Sequence, residues 1–395
     1  MVRPSSAAGN LRVLSLTNLL SGAYNSLLQV VLQPFVFRLA GSVLLLSVLQ
    51  ALATRLGGIV GALAQFAGGQ LADRRGRRPT LLLGSAFNML AFSLFLATAL
   101  TSSPILLVPA FAFLGLGLLS SPAVQSTVAE SVDIRERAMA YSYVLFFANL
   151  PAAILAFAGG YLADRFGYGL IFGMSLGLEA GIFTLFALFL QETLRDPSAG
   201  RWSLREALRL REPRLKGVLL VTTVDLFVWT ITIMIIYGMA TAEFGFTNAD
   251  IGLIYGIWAI TFVAGALPSG KIVERYGSRW MIFLSESLGI PVMLGWIYAR
   301  TPLAFALVSV VNGIVAATWV PALQTLIANS VEDRVRAQVI GQITAIRSLF
   351  AFPAPFLGGI LYETFGYEAP MVASLVGIVG TLVLVLRFIH DPPKE

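Results

Sequence analysis

The sequence Gly68–Pro79, GGQLADRRGRRP, decides the interpretation of the whole chain. It holds four arginines and separates two apolar runs, residues 43–67 and 80–101, each long enough to cross a bilayer. Because Lys and Arg resist translocation, a basic turn between two such runs predicts a cytoplasmic loop between transmembrane helices. A related turn, Ser269–Arg279 (SGKIVERYGSR), occurs in the second half of the chain and indicates an internal duplication.

The composition is that of a polytopic membrane protein. Of the 395 residues, 57% are hydrophobic and only 12% are charged, whereas soluble domains carry roughly 25% charged residues. The net charge of +6 lies in short loops, which fits the positive-inside rule better than nucleic-acid binding. There is no Cys and a single His, His390, so we expect neither an enzyme nor a metal site, and no cofactor.

Apolar runs of about 20 residues predict twelve transmembrane helices, called spans 1 to 12 below. Their predicted ranges are 13–37, 43–67, 80–101, 104–125, 139–160, 169–190, 216–240, 249–270, 280–300, 303–325, 339–360 and 369–389. Most of the 27 Lys and Arg residues lie in loops on the side of the Gly68–Pro79 turn, which predicts that both termini are cytoplasmic.

The longest connection, residues 191–215, divides the chain into predicted six-helix bundles of residues 1–190 and 216–395. Ser203–Glu206 in this connection is a capping-box pattern that predicts a short amphipathic helix on the cytoplasmic membrane surface. A solvated tether between the bundles is the alternative.

Internal repeats support two related halves. Residues 121–125 (SPAVQ) match residues 320–324 (VPALQ), and residues 159–168 match residues 358–367, both at an offset of 199. Two six-span halves in the same orientation are an architecture of secondary transporters, which bind substrate near the bilayer midplane.

The Gly68–Pro79 loop resembles the signature loop between helices two and three of the major facilitator superfamily, G-x-L-a-D-R-x-G-R-R. Its degenerate copy between spans 8 and 9, the twelve spans and the long central connection extend the resemblance over the whole chain. The resemblance implies an all-α fold of two pseudo-symmetric six-helix bundles that work by rocker-switch alternating access. It also implies that spans 1, 4, 7 and 10 line the cavity, while spans 3, 6, 9 and 12 stand outside it.

The resemblance further implies a conformational gate in the two basic loops. Asp73 is expected to pair with the cytoplasmic ends of neighbouring helices, and Gly69 and Gly76 to permit a close approach and a tight turn. The remaining expected gate residues are Arg74, Arg77, Arg78, Glu274 and Arg275. A role of the arginines as topology anchors alone is the alternative.

Two departures weaken the interpretation as a drug–proton antiporter. Proton-driven exporters of this family often carry an Arg in helix four and a Gly-Pro-x-x-Gly-Gly run in helix five. Span 4 has no charged residue between Ile105 and Gln125, and span 5 has Gly159-Gly160 without the Gly-Pro.

Charged residues inside the spans are functional candidates because an intramembrane charge costs about 2.5–3.5 kcal/mol on insertion scales. Asp225 in span 7 is the candidate proton carrier, with a structural ion pair as the alternative. Arg55 in span 2 and Arg347 in span 11 could hold an anionic substrate group or neutralise Asp225. Glu179 and Glu286, in spans 6 and 9, are expected to be structural.

Span 1 carries a polar stripe that includes Asn18, Asn25 and Gln29, spaced so that they share one helical face. We expect this face to line the cavity, although hydrogen bonds to a neighbouring helix would also explain it. The other candidates for the substrate cavity are Asn149, Asn312, Trp229 and Trp319, together with the two intramembrane arginines.

The leading hypothesis is export of an amphipathic or lipophilic compound in exchange for protons, across the plasma membrane of a prokaryote. The alternatives are a permease for an organic anion or polar solute that uses Arg55 and Arg347, and, more remotely, a lipid translocator. The expected partners are a small-molecule substrate, protons and membrane lipids, with the protein acting as a monomer.

Overall fold

The computed structural model describes residues 4–53, 58–132, 144, 146–194, 215–330 and 333–391, which are helical and contain no β-strand. Arg55 and residues 195–214 of the central connection, with its predicted amphipathic helix, lie outside the described residues, as does the side chain of Glu274.

Each predicted span corresponds to one helix or to consecutive helices. In the first half these are Pro4–Ala40, Val43–Leu52 with Gly58–Arg75, Arg77–Thr101, Pro104–Glu130, Phe146–Phe166 and Tyr168–Leu188. In the second half they are Lys216–Phe244, Asn248–Tyr276, Ser278–Tyr298, Pro302–Ser330, Asp333–Ala351 with Ala354–Phe365, and Ala369–Phe388.

Among the described residues, ten helices are long and apolar enough to cross a membrane. Span 1, which carries the polar stripe, and span 2, whose two helices flank residues 54–57, are not among these ten. The predicted all-α polytopic fold is confirmed.

The helices form two compact units. The first contains residues 1–40 and 52–207, and the second contains residues 41–51 and 208–395. In the first unit, span 3 packs against spans 4 and 6, and span 1 against spans 5 and 6. In the second unit, span 9 packs against spans 10 and 12, and span 7 against spans 11 and 12, so the duplication extends to the packing within each unit. Residues 41–51, at the start of span 2, group with the second unit although the sequence assigned them to the first bundle.

The first unit has an aromatic core. Phe95 of span 3 stacks on Phe172 of span 6 with ring centroids 5.3 Å apart, and Phe35 of span 1 contacts the same ring at 4.9 Å. Elsewhere large apolar side chains face outward, and Ile105 and Ile154 are 77% and 70% exposed. Helices that are apolar on both their packed and their exposed faces are those that a bilayer accommodates. The chain is therefore an integral membrane protein.

Four pairs of consecutive helices are joined at a glycine with the same backbone conformation. The φ angles are 112°, 83°, 87° and 90° at Gly76, Gly167, Gly277 and Gly366. With ψ near 180°, this region is essentially accessible to glycine alone. An acidic residue precedes each glycine by three positions: Asp73, Asp164, Glu274 and Glu363. The signature loop is thus one of four copies of a local structure, which indicates that each half itself contains two related three-span repeats.

A carboxylate caps the helix that follows Gly76. Glu192, just after span 6, accepts the backbone N–H groups of Arg77 and Arg78 at 2.9 and 3.1 Å. In the opposite direction, the Arg78 side chain donates to the carbonyl oxygens of Phe186 and Ala187 at the end of span 6. The start of span 3 and the end of span 6 therefore satisfy each other's unpaired backbone groups and helix dipoles.

The second unit repeats this arrangement. Asp391, which lies 199 residues after Glu192, accepts the backbone N–H groups of Ser278 and Arg279 at 2.8 and 3.1 Å. The Arg279 side chain donates to the carbonyl oxygen of Leu386 at 2.7 Å.

We expect Gly76→Ala to lower the melting temperature of the purified protein. Alanine at this φ and ψ is strained by about 1–3 kcal/mol, and its Cβ would overlap the Glu192 carboxylate that caps span 3. Gly69→Ala is the matched control, because a Cβ there would meet only Pro122 at an ordinary 3.9 Å. Thermal unfolding in detergent measures both variants, and equal shifts would contradict the assignment.

Candidate functional site

Arg77 is the centre of an ionic network in the signature loop. It is 8% exposed, and its guanidinium donates to Asp73 at 2.5 Å and to Glu130 at 2.8 Å. Glu130 ends span 4 and also accepts the Thr193 hydroxyl at 2.5 Å. Arg77 therefore ties together the end of span 2, the end of span 4 and the segment after span 6.

The structure places the other expected gate residues differently. The side chain of Asp73 is 52% exposed and contacts a neighbouring helix end through Arg77. Arg78 binds the end of span 6 as described above, whereas Arg74 and Arg275 are exposed.

The expectation of a close approach at Gly69 was wrong by one residue. A Cβ at Gly68 would overlap the Leu119 carbonyl of span 4, so the tight packing is at Gly68.

A second group of charged and aromatic residues lies inside the second unit. Asp225 of span 7 and Arg347 of span 11 form an ion pair, with Nη2 and Oδ2 3.4 Å apart and side chains 9% and 13% exposed respectively. Arg347 also donates from Nε to the Thr222 carbonyl at 2.9 Å, and its guanidinium lies 4.8 Å from the centre of the Trp319 ring. The ion pair that the sequence left as one alternative for Asp225 is therefore present.

Glu286 of span 9 completes this group, although the sequence assigned it a structural role. It is 1% exposed, and its carboxyl lies near Asp225, Trp229 and Trp319. The Trp229 ring lies 2.9 Å from the position that a Cβ on Gly289 would take, so the missing side chain of Gly289 gives it room. Glu286 and Gly289 lie about one helical turn apart on span 9. This spacing could have indicated from the sequence that the same face of span 9 packs against span 7. We call Asp225, Glu286, Arg347, Trp229 and Trp319 the buried charge cluster.

An apolar layer separates the buried charge cluster from the end of the unit at which span 7 begins. Asp225 and Glu286 lie about 12–14 Å along their helices from that end, at about 1.5 Å per residue. Buried apolar residues belonging to one core lie one turn nearer that end on each helix: Val221, Ile282, Leu323 and Ile343. These side chains place a buried apolar layer on that side of the two carboxyl groups.

The remaining cavity candidates divide between the two units. In the first unit, Asn18, Asn25 and Gln29 of span 1 and Asn149 of span 5 are half-buried. Asn18 donates to the Leu14 carbonyl of its own helix at 2.8 Å. In the second unit, Asn312 of span 10 is 8% exposed and is not part of the buried charge cluster.

Glu179 is the buried carboxyl of the first unit. It is 2% exposed and accepts the Ser85 hydroxyl at 2.5 Å, and Tyr24 and Asn88 lie near its carboxyl group. These partners are neutral groups on spans 1 and 3, unlike the ionic surroundings of Glu286. Within the described residues, no group of three or more His, Asp or Glu side chains could hold a metal ion.

The chain matches the sequence pattern of the Major Facilitator Superfamily over residues 14–241 and 218–395. It is similar to the multidrug resistance protein MdtG of Salmonella arizonae, with 26% identity over 310 residues that cover 76% of this chain and 75% of that protein. MdtG of Enterobacter lignolyticus is 26% identical over 325 residues, which cover 80% and 76% of the two chains.

Solved transporter structures share the fold. The nucleoside transporter NupG aligns with a TM-score of 0.71 at 13% identity, covering 96% of this chain and 98% of that chain. A D-xylose–proton symporter aligns with a TM-score of 0.72 at 14% identity, covering 98% of each chain. The human organic anion transporter MFSD10 aligns with a TM-score of 0.68 at 17% identity, covering 96% and 99%. At these identities the likeness shows the fold alone.

Proposed function

This chain belongs to the major facilitator superfamily, and we propose that it exports an amphipathic or lipophilic compound from a bacterial cell in exchange for protons. The observation that carries the proposal is Asp225, a carboxyl group inside span 7 that is almost fully buried beside Arg347. In this family span 7 is a cavity-lining helix, so a carboxyl at this depth can bind and release a proton during transport. The relatives named multidrug resistance proteins support a lipophilic substrate.

The aromatic surroundings of Asp225 favour a substrate with an apolar, cationic character. Trp229 and Trp319 lie near the Glu286 carboxyl of the same cluster, and the Trp319 ring already faces the Arg347 guanidinium. Indole rings attract organic cations through their faces and also bury apolar groups.

We propose that the network around Arg77 stabilises one of the two states of the transport cycle. The network connects three helix ends at one side of the first unit, and the Arg77 side chain at its centre is buried. A two-state rocker is balanced within a few kcal/mol, so loss of such a contact shifts its populations. The proposal places the network and both termini at the cytoplasmic face of the inner membrane, because the basic loops lie on that side.

Transport of an organic anion by Arg347 is the second candidate. The guanidinium already donates to Asp225 and to the Thr222 carbonyl, so an anion would have to displace an internal carboxylate. This pairing favours the export proposal over the anion permease.

Exchange of ethidium against protons in proteoliposomes tests the proposed function. We expect a gradient that is acidic inside to drive ethidium uptake, and a protonophore or the omission of protein to abolish it. Absence of gradient-driven uptake would contradict the proposal. Uptake of benzoate instead, lost in Arg347→Ala, would establish the anion permease.

A further inference from the structure

We propose that the end of the second unit at which span 7 begins binds the headgroup of an anionic phospholipid, such as phosphatidylglycerol. The site consists of three pairs of consecutive residues, called the Arg–aromatic pairs below: Arg275–Tyr276, Arg279–Trp280 and Arg387–Phe388. Binding of a lipid there does not depend on which compound the protein transports.

In each Arg–aromatic pair the guanidinium lies over the ring of the next residue. The distances from the guanidinium carbon to the ring centre are 5.3, 5.6 and 5.6 Å, which are within the range of cation–π contacts. All three rings are exposed. Tyr and Trp side chains prefer the headgroup region of a bilayer, so these rings place the guanidinium groups at the depth of the lipid phosphates.

The three pairs meet where spans 8, 9 and 12 come together. Two of them lie on either side of Gly277, at which span 8 ends and span 9 begins. The Arg279 side chain donates to the carbonyl oxygen of Leu386 at 2.7 Å. This contact brings the third pair to the same place, because Arg387 follows Leu386 in the chain.

The positive charge of the pairs is not balanced by the residues that the structure describes. Within them the three guanidinium groups form no ion pair, whereas Arg77 of the first unit contacts two carboxylates. The carboxylate of Asp391, which lies close by, accepts backbone N–H groups at the start of span 9. Lys216 and Lys271 are exposed at the same end of the unit and add further positive charge. A cluster of Lys and Arg at a membrane surface attracts anionic lipids.

The first unit has no matching rings in its signature loop, although this loop is related to the Ser269–Arg279 turn. When the two joint glycines are aligned, Arg75 stands where the second unit has Tyr276. Pro79 stands where it has Trp280. Basic residues that only fix the orientation of the chain do not need such rings. The rings therefore indicate a function of the second turn beyond orientation.

The surface beside the pairs favours a lipid over a free anion. Leu284 lies about one turn deeper than Trp280 on span 9, and Val383 about one turn deeper than Arg387 on span 12. Both are exposed apolar side chains, and they continue from the guanidinium groups in the direction that acyl chains take into the bilayer. A phosphate offers two oxygens to the fork of a guanidinium. A headgroup without an ammonium group leaves the phosphate charge available to the arginines.

Native mass spectrometry of the full-length protein, titrated with single lipids in detergent, tests the site. We expect phosphatidylglycerol to bind at least about tenfold more tightly than phosphatidylcholine, whose own ammonium group opposes the arginines. The double variant Arg275→Gln/Arg387→Gln should lose this preference. Both arginines are exposed, so the variant should keep the wild-type melting temperature.

Arg165→Gln is the matched control. Arg165 is also exposed beside an aromatic ring, with Phe166 at 5.8 Å, but it lies at the end of span 5, on the side of the membrane opposite to the basic loops. This variant should keep the lipid preference.

Three results would overturn the proposal: equal affinity of the wild type for both lipids, a preference that persists in the double variant, or its loss in Arg165→Gln. Displacement of the lipid by an equal concentration of glycerol 3-phosphate, which has no acyl chains, would indicate a site for free anions and would also overturn it. None of these results bears on the export proposal, since the titration uses neither a transported compound nor a pH gradient.

Discussion

We expect Asp225→Asn to reduce pH-driven ethidium exchange to the rate of protein-free liposomes. Asparagine has nearly the same shape as aspartate but binds no proton in this pH range, so the coupling step is lost while the packing is kept. Arg347 retains its hydrogen bond to the Thr222 carbonyl and has Glu286 as a remaining carboxyl within the cluster. The protein should therefore fold and still bind ethidium.

The control for this variant is Asp164→Asn. Asp164 lies at the end of span 5, three residues before the glycine that connects spans 5 and 6. Its ion pair with Arg38 is long, at 3.9 Å. Exchange should stay near the wild-type rate in this control. Proton-driven exchange that survives in Asp225→Asn would rule out Asp225 as a coupling residue.

The largest effect on stability is expected for Arg347→Ala. Removing one partner of a buried ion pair typically costs about 3–5 kcal/mol, because the other charge is left without compensation. Both side chains of the Asp225–Arg347 pair are at least 87% buried, judged from exposures of 9% and 13%. The variant also loses the contact between the guanidinium and Trp319. Thermal unfolding in detergent should show a large drop in melting temperature.

Arg300→Ala is the matched comparison for this prediction. Arg300 forms an ion pair of similar length with Glu368, 3.2 Å, but its side chain is 46% exposed. Exposed pairs contribute about 0–1 kcal/mol, so this variant, which also loses the contacts of Arg300 with the Phe244 and Tyr367 rings, should lose less stability than Arg347→Ala. The double variant Arg347→Ala/Asp225→Asn should lose less than the sum of its single changes, because the uncompensated carboxylate is gone. Equal losses in Arg347→Ala and Arg300→Ala would contradict the assignment.

The fold was largely predictable from the sequence because a bilayer imposes strong local constraints. About 20 apolar residues are needed for each crossing, and basic loops are confined to one side. These constraints act on short stretches of sequence, so they can be recognised without knowing which helices pack against each other. The repeats at an offset of 199 added the division into two related halves.

The buried charge cluster was only partly predictable. Asp225 and Arg347 were recognised as costly charges inside spans, but Glu286 was assigned a structural role because span 9 is expected to stand outside the cavity. A charged residue on an outer helix can still point into its own bundle, and Glu286 does so beside Gly289, where the missing Cβ leaves room for Trp229. The sequence predicted a close approach at Gly69, whereas the structure has it at Gly68, because the direction in which each residue of a helix points depends on packing against span 4.

The sequence by itself determined the membrane location, the succession of spans, the glycine joint of the signature loop and the presence of intramembrane charges. All of these depend on the identity and spacing of neighbouring residues along the chain. Only the tertiary structure decided that Arg77 links Asp73 to Glu130, and that Asp225, Glu286 and Arg347 meet in one enclosed group. Such contacts depend on the rotation of each helix about its axis. One residue changes that direction by about 100° at 3.6 residues per turn, and packing between distant segments selects it.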